Sequence, residues 1–513
     1  MARSDYDRPP RQDRAVWLSQ NVFDMKTLLI SRHGLLAICT AIAVLALATE
    51  CFDYLRLAAY IDHIENMVVI NGWQYLTKGM ALYQLQDGTP RFATFYGPLT
   101  YLSVALAPLL LGAGIVASKL APLLAVSATV ILMAVHFFRR STVAQALPGF
   151  FFVVTGLLLF SPMSFWTRAD PFETLLVAIA VLLAARPLAI GIAIGLAVNF
   201  KVHAFVYFLP ILVEMLADRR WRALLTIAAT SSLVFFIPFL MPGISLHDYV
   251  AVLAQQAGHR GPTSRQNIVP ILTAIWLLGV PLVWTMATEQ QPTRDRIYAL
   301  AALAALILLI YPANLPGSGS YHLLPLVPVL AEAFWRLRPQ GSLVRAAVLP
   351  TLITGLWMTH LSMHTMAMRR GWDPVAADAL ALAQASPTRP VQIGYGENES
   401  YEISQLSRTL LSLNGHPALI DAQSLIELQQ IGIDGSTRWL PYLTECGVKR
   451  WLMPKGETPF ATTNYYYDSD APLFDPEFRQ ALLSHYRVVS SGQYFNVWEC
   501  AEDAGGAEKR QAQ

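Results

Sequence analysis

Charged side chains are scarce in this sequence: Asp, Glu, Lys and Arg make up 14% of its 513 residues, against about 25% in an average soluble protein. The apolar set reaches 54%, more than a water-soluble domain could hide, which excludes a purely soluble enzyme. An excess of either sign is missing too. With 37 basic and 35 acidic residues, the chain lacks the basic stripe of a nucleic-acid binder. Its expected partners are membrane lipid and lipid-attached groups rather than nucleic acid. Cysteine is rare, and Cys39, Cys51, Cys446 and Cys500 show no CxxC or Cys/His spacing, so a thiolate-built metal site is not expected. There is no P-loop and no Gly-x-Ser-x-Gly elbow, and Gly394-Tyr395-Gly396 lacks the third glycine of a dinucleotide fingerprint. No cofactor and no metal is expected.

What is present is a series of apolar segments up to about residue 365, most of them short for a spanning helix. Flanking arginines settle their direction. A leader over residues 1–32 carries Arg3, Arg8, Arg11, Arg14, Lys26 and Arg32 and is cytoplasmic by the positive-inside rule. A cleaved signal peptide is the competing reading, on Ala46-Leu47-Ala48, but this basic region is long for one. Arg139-Arg140, Arg186, Arg219-Arg220-Trp221-Arg222, Arg294/Arg296 and Arg336/Arg338/Arg345 all fall on the cytoplasmic side under one assignment of spans. It is 33–57, 114–138, 143–164, 171–185, 187–200, 203–217, 223–241, 268–287, 297–311, 323–335 and 346–363. About eleven crossings leave the carboxyl terminus outside. Pro98 to Gly112 reads as an interfacial helix on the outer face, and Glu214 is the one candidate for a charge within the membrane.

Beyond about residue 366 the composition becomes that of a soluble α/β domain running to 502, with residues 503–513 as a disordered tail. Strands are expected at Val391 to Ile393, Ala418 to Ile420, Val448 to Met453 and Phe495 to Trp498. Helices are expected over Ser404 to Leu413 and Pro476 to Tyr486. Cys446 and Cys500 both lie outside, where an oxidising compartment permits a disulfide. Asp468-Ser469-Asp470 has the form of a metal-nucleotide motif but lies outside, away from nucleotide sugars, and reads as a loop.

The first outer loop, residues 58–97, opens with Tyr60-Ile61-Asp62-His63-Ile64-Glu65 and closes with Phe95-Tyr96-Gly97-Pro98-Leu99. Asp62 and Glu65, three apart, would share one face of a helix just outside the first span, either as a site or as a solvated helix end. Trp166-Thr167-Arg168-Ala169-Asp170-Pro171 ends the third span, where Asp170 and Pro171 also suit an N-cap and N1. Asn199-Phe200-Lys201-Val202-His203 ends the fifth, where a lysine can snorkel or meet a phosphate. Arg260 and Arg265 would suit a phosphate, although either one taken singly reads first as a solvated loop charge, and Gly317 to His322 opens the tenth span.

These motifs resemble the GT-C superfamily of membrane glycosyltransferases, in particular the branch of aminoarabinose transferases, protein O-mannosyltransferases and Rgt-type transferases. There an acidic motif opens the first outer loop, a Gly-aromatic stretch follows about fourteen residues later, and a Gly-Pro-Leu element precedes the next helix. Glu65 to Gly79 gives that interval here, and Gly97-Pro98-Leu99 the element. The usual adjacent Asp-Glu pair is replaced by Asp62-x-x-Glu65, which leaves open which of the two carboxylates is the base. The resemblance implies a GT-C-like helical bundle in a bacterial inner membrane, with its α/β domain periplasmic. It implies catalytic candidates Glu65, Asp62 and Asp170, phosphate-binding candidates Lys201, Arg168, Arg260 and Arg265, and pocket residues Tyr96, His203, Tyr321 and His322. The donor would be a polyprenyl-phosphate sugar, the acceptor a hydroxyl on glycan, lipid or protein, and the outcome inversion. A transporter or flippase of lipid-linked saccharide is the alternative. It would need an inverted repeat or paired interrupted helices, which the sequence does not display.

The alternation of arginine clusters makes a direct prediction. Alkaline phosphatase fused at residue 380 is expected to be active and a fusion at 220 inactive, and activity at 220 contradicts the topology.

Overall fold

The computed structural model describes residues 34–83, 96–259, 267–288, 290–338, 342–385, 390–430, 436–464 and 470–501. From the amino end the chain forms α1 (Gly34–Arg56), the shorter α2 (His63–Lys78) and α3 (Pro98–Leu111), then the long α4 (Ile115–Arg140). Next come α5 (Val143–Leu159), α6 (Asp170–Leu182), α7 (Pro187–Val198) and α8 (Leu209–Ala217). They lead to α9 (Trp221–Leu240), α10 (Leu246–His259), α11 (Ile268–Thr288) and α12 (Thr293–Ala313). The helical part closes with α13 (Val327–Arg336) and α14 (Ser342–Arg370). Among the described residues α1, α4, α9, α11 and α12 are long and apolar enough to cross a membrane.

Local chemistry explains several of these elements. α2 starts with a capping box, in which the Asp62 carboxylate accepts from Ile64 while the Glu65 carboxylate reaches back to the Asp62 N–H. It ends at Gly79 with φ +64°, the left-handed conformation glycine adopts without strain. The Glu65-to-Gly79 interval is therefore the length of one four-turn helix. α7 and α9 pack backbone to backbone through Gly191 and Gly195, where an added Cβ would lie 2.7 Å from the Thr230 Cβ and 2.6 Å from the Ser231 carbonyl oxygen. Arg139 and Arg140 in the last turn of α4 complement the helix dipole.

Glu50 and Lys119 are among the buried charges that the sequence reading did not single out. Glu50, inside α1, is fully covered and accepts hydrogen bonds from Ser161 (2.8 Å) and Thr359 (3.2 Å), tying α1 to the segment after α5 and to α14. Lys119, in the first turn of α4, donates to the carbonyls of Tyr54, Leu57 and Ala59 at 2.9, 2.7 and 2.6 Å. It takes up the carbonyls left bare where α1 ends, and so fixes the turn leading to Asp62.

The C-terminal part contains α15 (Asp373–Gln384), β1 (Val391–Ile393), α16 (Tyr401–Leu413), α17 (Ala422–Gln430), β2 (Arg450–Pro454), α18 (Pro476–His485), β3 (Tyr486–Ser491) and β4 (Phe495–Cys500). The sheet has the order β1-β2-β4-β3, with β1 parallel to β2 and the other pairs antiparallel. Gln392 lies beside Trp451, and Trp451 beside Trp498. Ala418 to Ile420 is not a strand, because the Gln392 side chain takes the Leu419 N–H at 2.9 Å in place of a ladder partner. β3 went unread because it is an edge strand, exposed at every position but Tyr486, and so lacks alternation. α16 packs on α2, where Thr409 donates to Asn66 at 2.7 Å and the Trp73 indole to the Ser412 carbonyl at 3.1 Å.

Cys446 and Cys500 form a disulfide, with Cα atoms 6.0 Å apart and a sequence separation of 54. Closing a loop of that length stabilises a fold by about 4 kcal/mol in the chain-entropy account. Cys446→Ser is expected to unfold the part after residue 370 about 2–5 kcal/mol more easily. Limited proteolysis under denaturant titration checks this, and an unchanged cleavage profile contradicts it.

Candidate active site

The site is assembled around a carboxylate that does no visible chemistry. Glu65 has no exposed surface. One of its oxygens accepts the backbone N–H groups of Ile61 and Asp62, both at 2.9 Å. The other accepts the Thr167 N–H at 2.6 Å and the Tyr54 hydroxyl. Tyr54 stands at the end of α1 and Thr167 just before α6, so four donors tie three remote segments to one side chain. Burial lifts the Glu65 carboxyl above its ordinary value, while the Tyr54 hydroxyl and the Thr167 and Asp62 N–H groups act the other way.

That knot sets Asp62 and Arg168 side by side. An Asp62 oxygen lies 2.6 Å from a terminal nitrogen of Arg168, and the other faces the His63 ring at 3.1 Å. Asp62 and Glu65 do not share a helix face as the spacing suggested; Asp62 is the N-cap and Glu65 the third helical residue. Asp62 keeps about 20% of its side chain exposed, so it is the open carboxylate of the two. Burial acts to raise its pKa, but His63 and Arg168 beside it and the Ile64 N–H bring it below the ordinary value. Burial pushes the His63 ring down, toward the neutral form.

Arg168 also donates to the Tyr96 hydroxyl and stacks over the Trp166 ring at 3.9 Å. The Tyr321 ring lies close to two cations, 4.8 Å from the Arg168 guanidinium and 4.8 Å from the Lys201 ammonium. Lys201 pairs with Asp170 and lies 3.7 Å from Glu173. Burial would lower the Lys201 pKa, but Asp170 and Glu173 hold it above the ordinary amine value. Asp170 is not a helix cap. It is the first residue of α6, makes no capping bond, and turns its carboxylate to Lys201 and to the Trp166 indole at 2.9 Å. His322 meets His203 at 3.0 Å and stacks on Tyr321.

The Gly97-Pro98-Leu99 element has a structural reason. Gly97 donates to the Phe200 carbonyl at 2.9 Å and Leu99 to that of Asn199 at 3.2 Å, closing the end of α7 just before Lys201. A Cβ at Gly97 would lie 2.0 Å from the Asn199 oxygen, so only glycine fits.

Asp62, Arg168, Tyr96, Asp170, Lys201, Tyr321, His203 and His322 thus form one connected cluster, with Glu65 behind it. Arg260 and Arg265 lie outside the described residues. Glu173 was missed, although it stands three residues after Asp170 on the same helix. It is fully buried, and neither oxygen has a hydrogen-bond partner. Among the described residues no group of three His, Cys, Asp or Glu side chains is placed to hold a metal ion.

The difference between the two carboxylates is measurable. Glu65→Gln sets an amide N–H₂ against N–H donors and is expected to cost about 3 kcal/mol or more of stability, with Asp62→Asn nearer about 1 kcal/mol. Because the Asp62 pKa is lowered on folding, its ion pair contributes stability above its unfolded value of about 4, lost as the pH falls through the folded value. Asp62→Asn should therefore flatten the acid limb of a thermal-stability profile. Equal destabilisation by both variants contradicts the assignment.

No protein-family model matches the chain, and no curated protein matches it in sequence. Solved structures do. ArnT from Cupriavidus metallidurans bound to undecaprenyl phosphate superposes with a TM-score of 0.53 at 14% identity, over 91% of this chain and 98% of that one. The apo state of the same protein gives 0.53 at 13% identity, over 91% and 97%. At such identities the likeness establishes the fold, and this chain has the fold of those ArnT structures over 91% of its length.

Proposed function

We propose that this chain is an integral membrane glycosyltransferase, moving a sugar from a polyprenyl-phosphate donor to a hydroxyl acceptor at the outer membrane face. The observation that carries this reading is the convergence of the Asp62–Arg168 and Asp170–Lys201 pairs on the Tyr321 ring, from three segments remote in sequence, in a bundle with the ArnT fold. That ArnT structure is bound to undecaprenyl phosphate, and a polyprenyl phosphate is the ligand proposed here. The topology is that of about eleven crossings, with the α/β domain outside, in a bacterial inner membrane.

In the proposed reaction Asp62 takes the proton of the acceptor hydroxyl as its oxygen attacks the anomeric carbon. The bond from that carbon to the phosphate oxygen breaks, and its electron pair leaves with the lipid phosphate. Arg168 and Lys201 exchange part of their pairing with Asp62 and Asp170 for the phosphate oxygens, so the growing charge meets cations already in place. Releasing Asp62 from Arg168 raises its proton affinity at the moment it must accept a proton. Tyr96, Tyr321, His203 and His322 line the pocket, and Arg260 and Arg265 are proposed as further phosphate contacts. A single displacement inverts the anomeric centre. Glu65, the candidate favoured by spacing alone, is assigned to the scaffold.

The test is release of lipid phosphate from a polyprenyl-phosphate sugar by the purified protein, which a transporter does not perform. Asp62→Asn is expected to lower turnover by about 10²-fold or more with folding retained. Lys201→Ala should weaken donor binding and slow turnover together by about 10²–10³-fold. Full activity of Asp62→Asn contradicts the assignment of the base.

A further inference from the structure

A second polar site lies at the opposite end of the bundle. Lys119 marks the Asp62 end of α4, and Arg140 follows twenty-one residues later on the same helix, about 32 Å away at 1.5 Å per residue. By the arginine pattern that far end is cytoplasmic. A cavity of about 980 Å³ opens there between the ends of α4, α6, α8, α12 and α13, within the range of small-molecule sites.

Its floor is a built ionic network. Arg336 pairs with Glu332 (2.7 Å) and Glu214 (2.8 Å), Arg294 with Glu214 (2.5 Å), and His136 with Glu332 (2.8 Å). Glu214, Glu332 and His136 are buried, and the Arg336 guanidinium stacks over the Tyr298 ring at 4.1 Å. Those pairs consume Glu214 and Glu332. The wall adds Arg140, Arg220 and Arg338, none of which pairs with an acid among the described residues. Asp295 is the one further carboxylate in the lining, so five guanidinium groups face three acids. Arg338 has φ +44°, at the place after α13 where glycine normally ends a helix. An arginine held there incurs a backbone cost that its place in the cavity wall accounts for.

We infer that this cavity binds a phosphate-bearing anion through Arg140, Arg220 and Arg338. Guanidinium groups match phosphate oxygens bidentately, and basic pockets between helix ends on the cytoplasmic side suit phosphate headgroups of lipids as well as free phosphate. The site does not depend on the transferase reading, and its occupant fastens five helix ends at the face remote from the chemistry.

The experiment uses the purified full chain in neutral detergent at constant ionic strength, following thermal unfolding against phosphatidylglycerol, diacylglycerol and inorganic phosphate. Phosphatidylglycerol is expected to stabilise the wild type and diacylglycerol, with the same tails and no phosphate, to have no effect. Stabilisation by inorganic phosphate as well identifies a free-phosphate site; stabilisation by the lipid alone identifies a headgroup site. Arg338→Gly suits the left-handed backbone, so it should fold at least as well unliganded while its half-saturating concentration rises about tenfold. Arg140→Gln/Arg220→Gln provides an independent second variant with the same expected loss. If the wild type and both variants respond equally, or the wild type responds to neither phosphate compound, the arginines serve topology alone and the inference is overturned.

Discussion

One buried carboxylate organises the site end of this molecule. Glu65 accepts from Tyr54, Ile61, Asp62 and Thr167, which belong to the end of α1, the turn after it and the segment before α6. Burying an acid is costly unless its oxygens are hydrogen-bonded, and both oxygens of Glu65 are. Lys119 performs the complementary task, taking three carbonyls from the same turn. Between them the negative and positive anchors leave the turn almost no freedom. Asp62 at its end and Arg168 beyond Thr167 have no choice but to meet.

The Asp62 cluster is nearly self-neutralised at rest. Arg168 is engaged by Asp62, and Lys201 by Asp170 with Glu173 close by. An anionic ligand of the kind proposed would enter by exchanging partners rather than by filling a bare positive hole. Buried ion pairs of this kind add little net stability, because desolvation offsets the attraction. Their value lies in holding cations ready without leaving them uncompensated when no ligand is bound. Both Arg168 and Lys201 lie against the Tyr321 ring, which gathers the two cations in one place.

Much of this was legible from the sequence, because the motifs are local. Asp62, Tyr96, Arg168, Asp170, Lys201, His203, Tyr321 and His322 were singled out through the resemblance of the motifs that carry them, and the fold brings them together. The division of labour between Asp62 and Glu65 was not legible from a helix-face argument. The spacing is also that of a capping box, which turns the third helical residue inward onto the backbone and leaves the N-cap at the rim. Glu50 and Lys119 were hidden for a different reason, since each sits within an apolar run and its partners come from elsewhere in the chain. The sheet read well where strands are buried, as at Val391 to Ile393. It read poorly at β3, where an exposed edge carries no periodic signal.

The central claim is that the lipid phosphate is received between Arg168 and Lys201, with Asp62 facing it. The most direct measurement is a structure of the purified protein with a polyprenyl phosphate bound. The account predicts the phosphorus within about 4 Å of a guanidinium nitrogen of Arg168 or the ammonium of Lys201, at charge-assisted hydrogen-bond distance. It also predicts that the pairing of those cations with Asp62 and Asp170 is loosened relative to the unliganded protein. A phosphate held elsewhere, with both ion pairs intact, would contradict it.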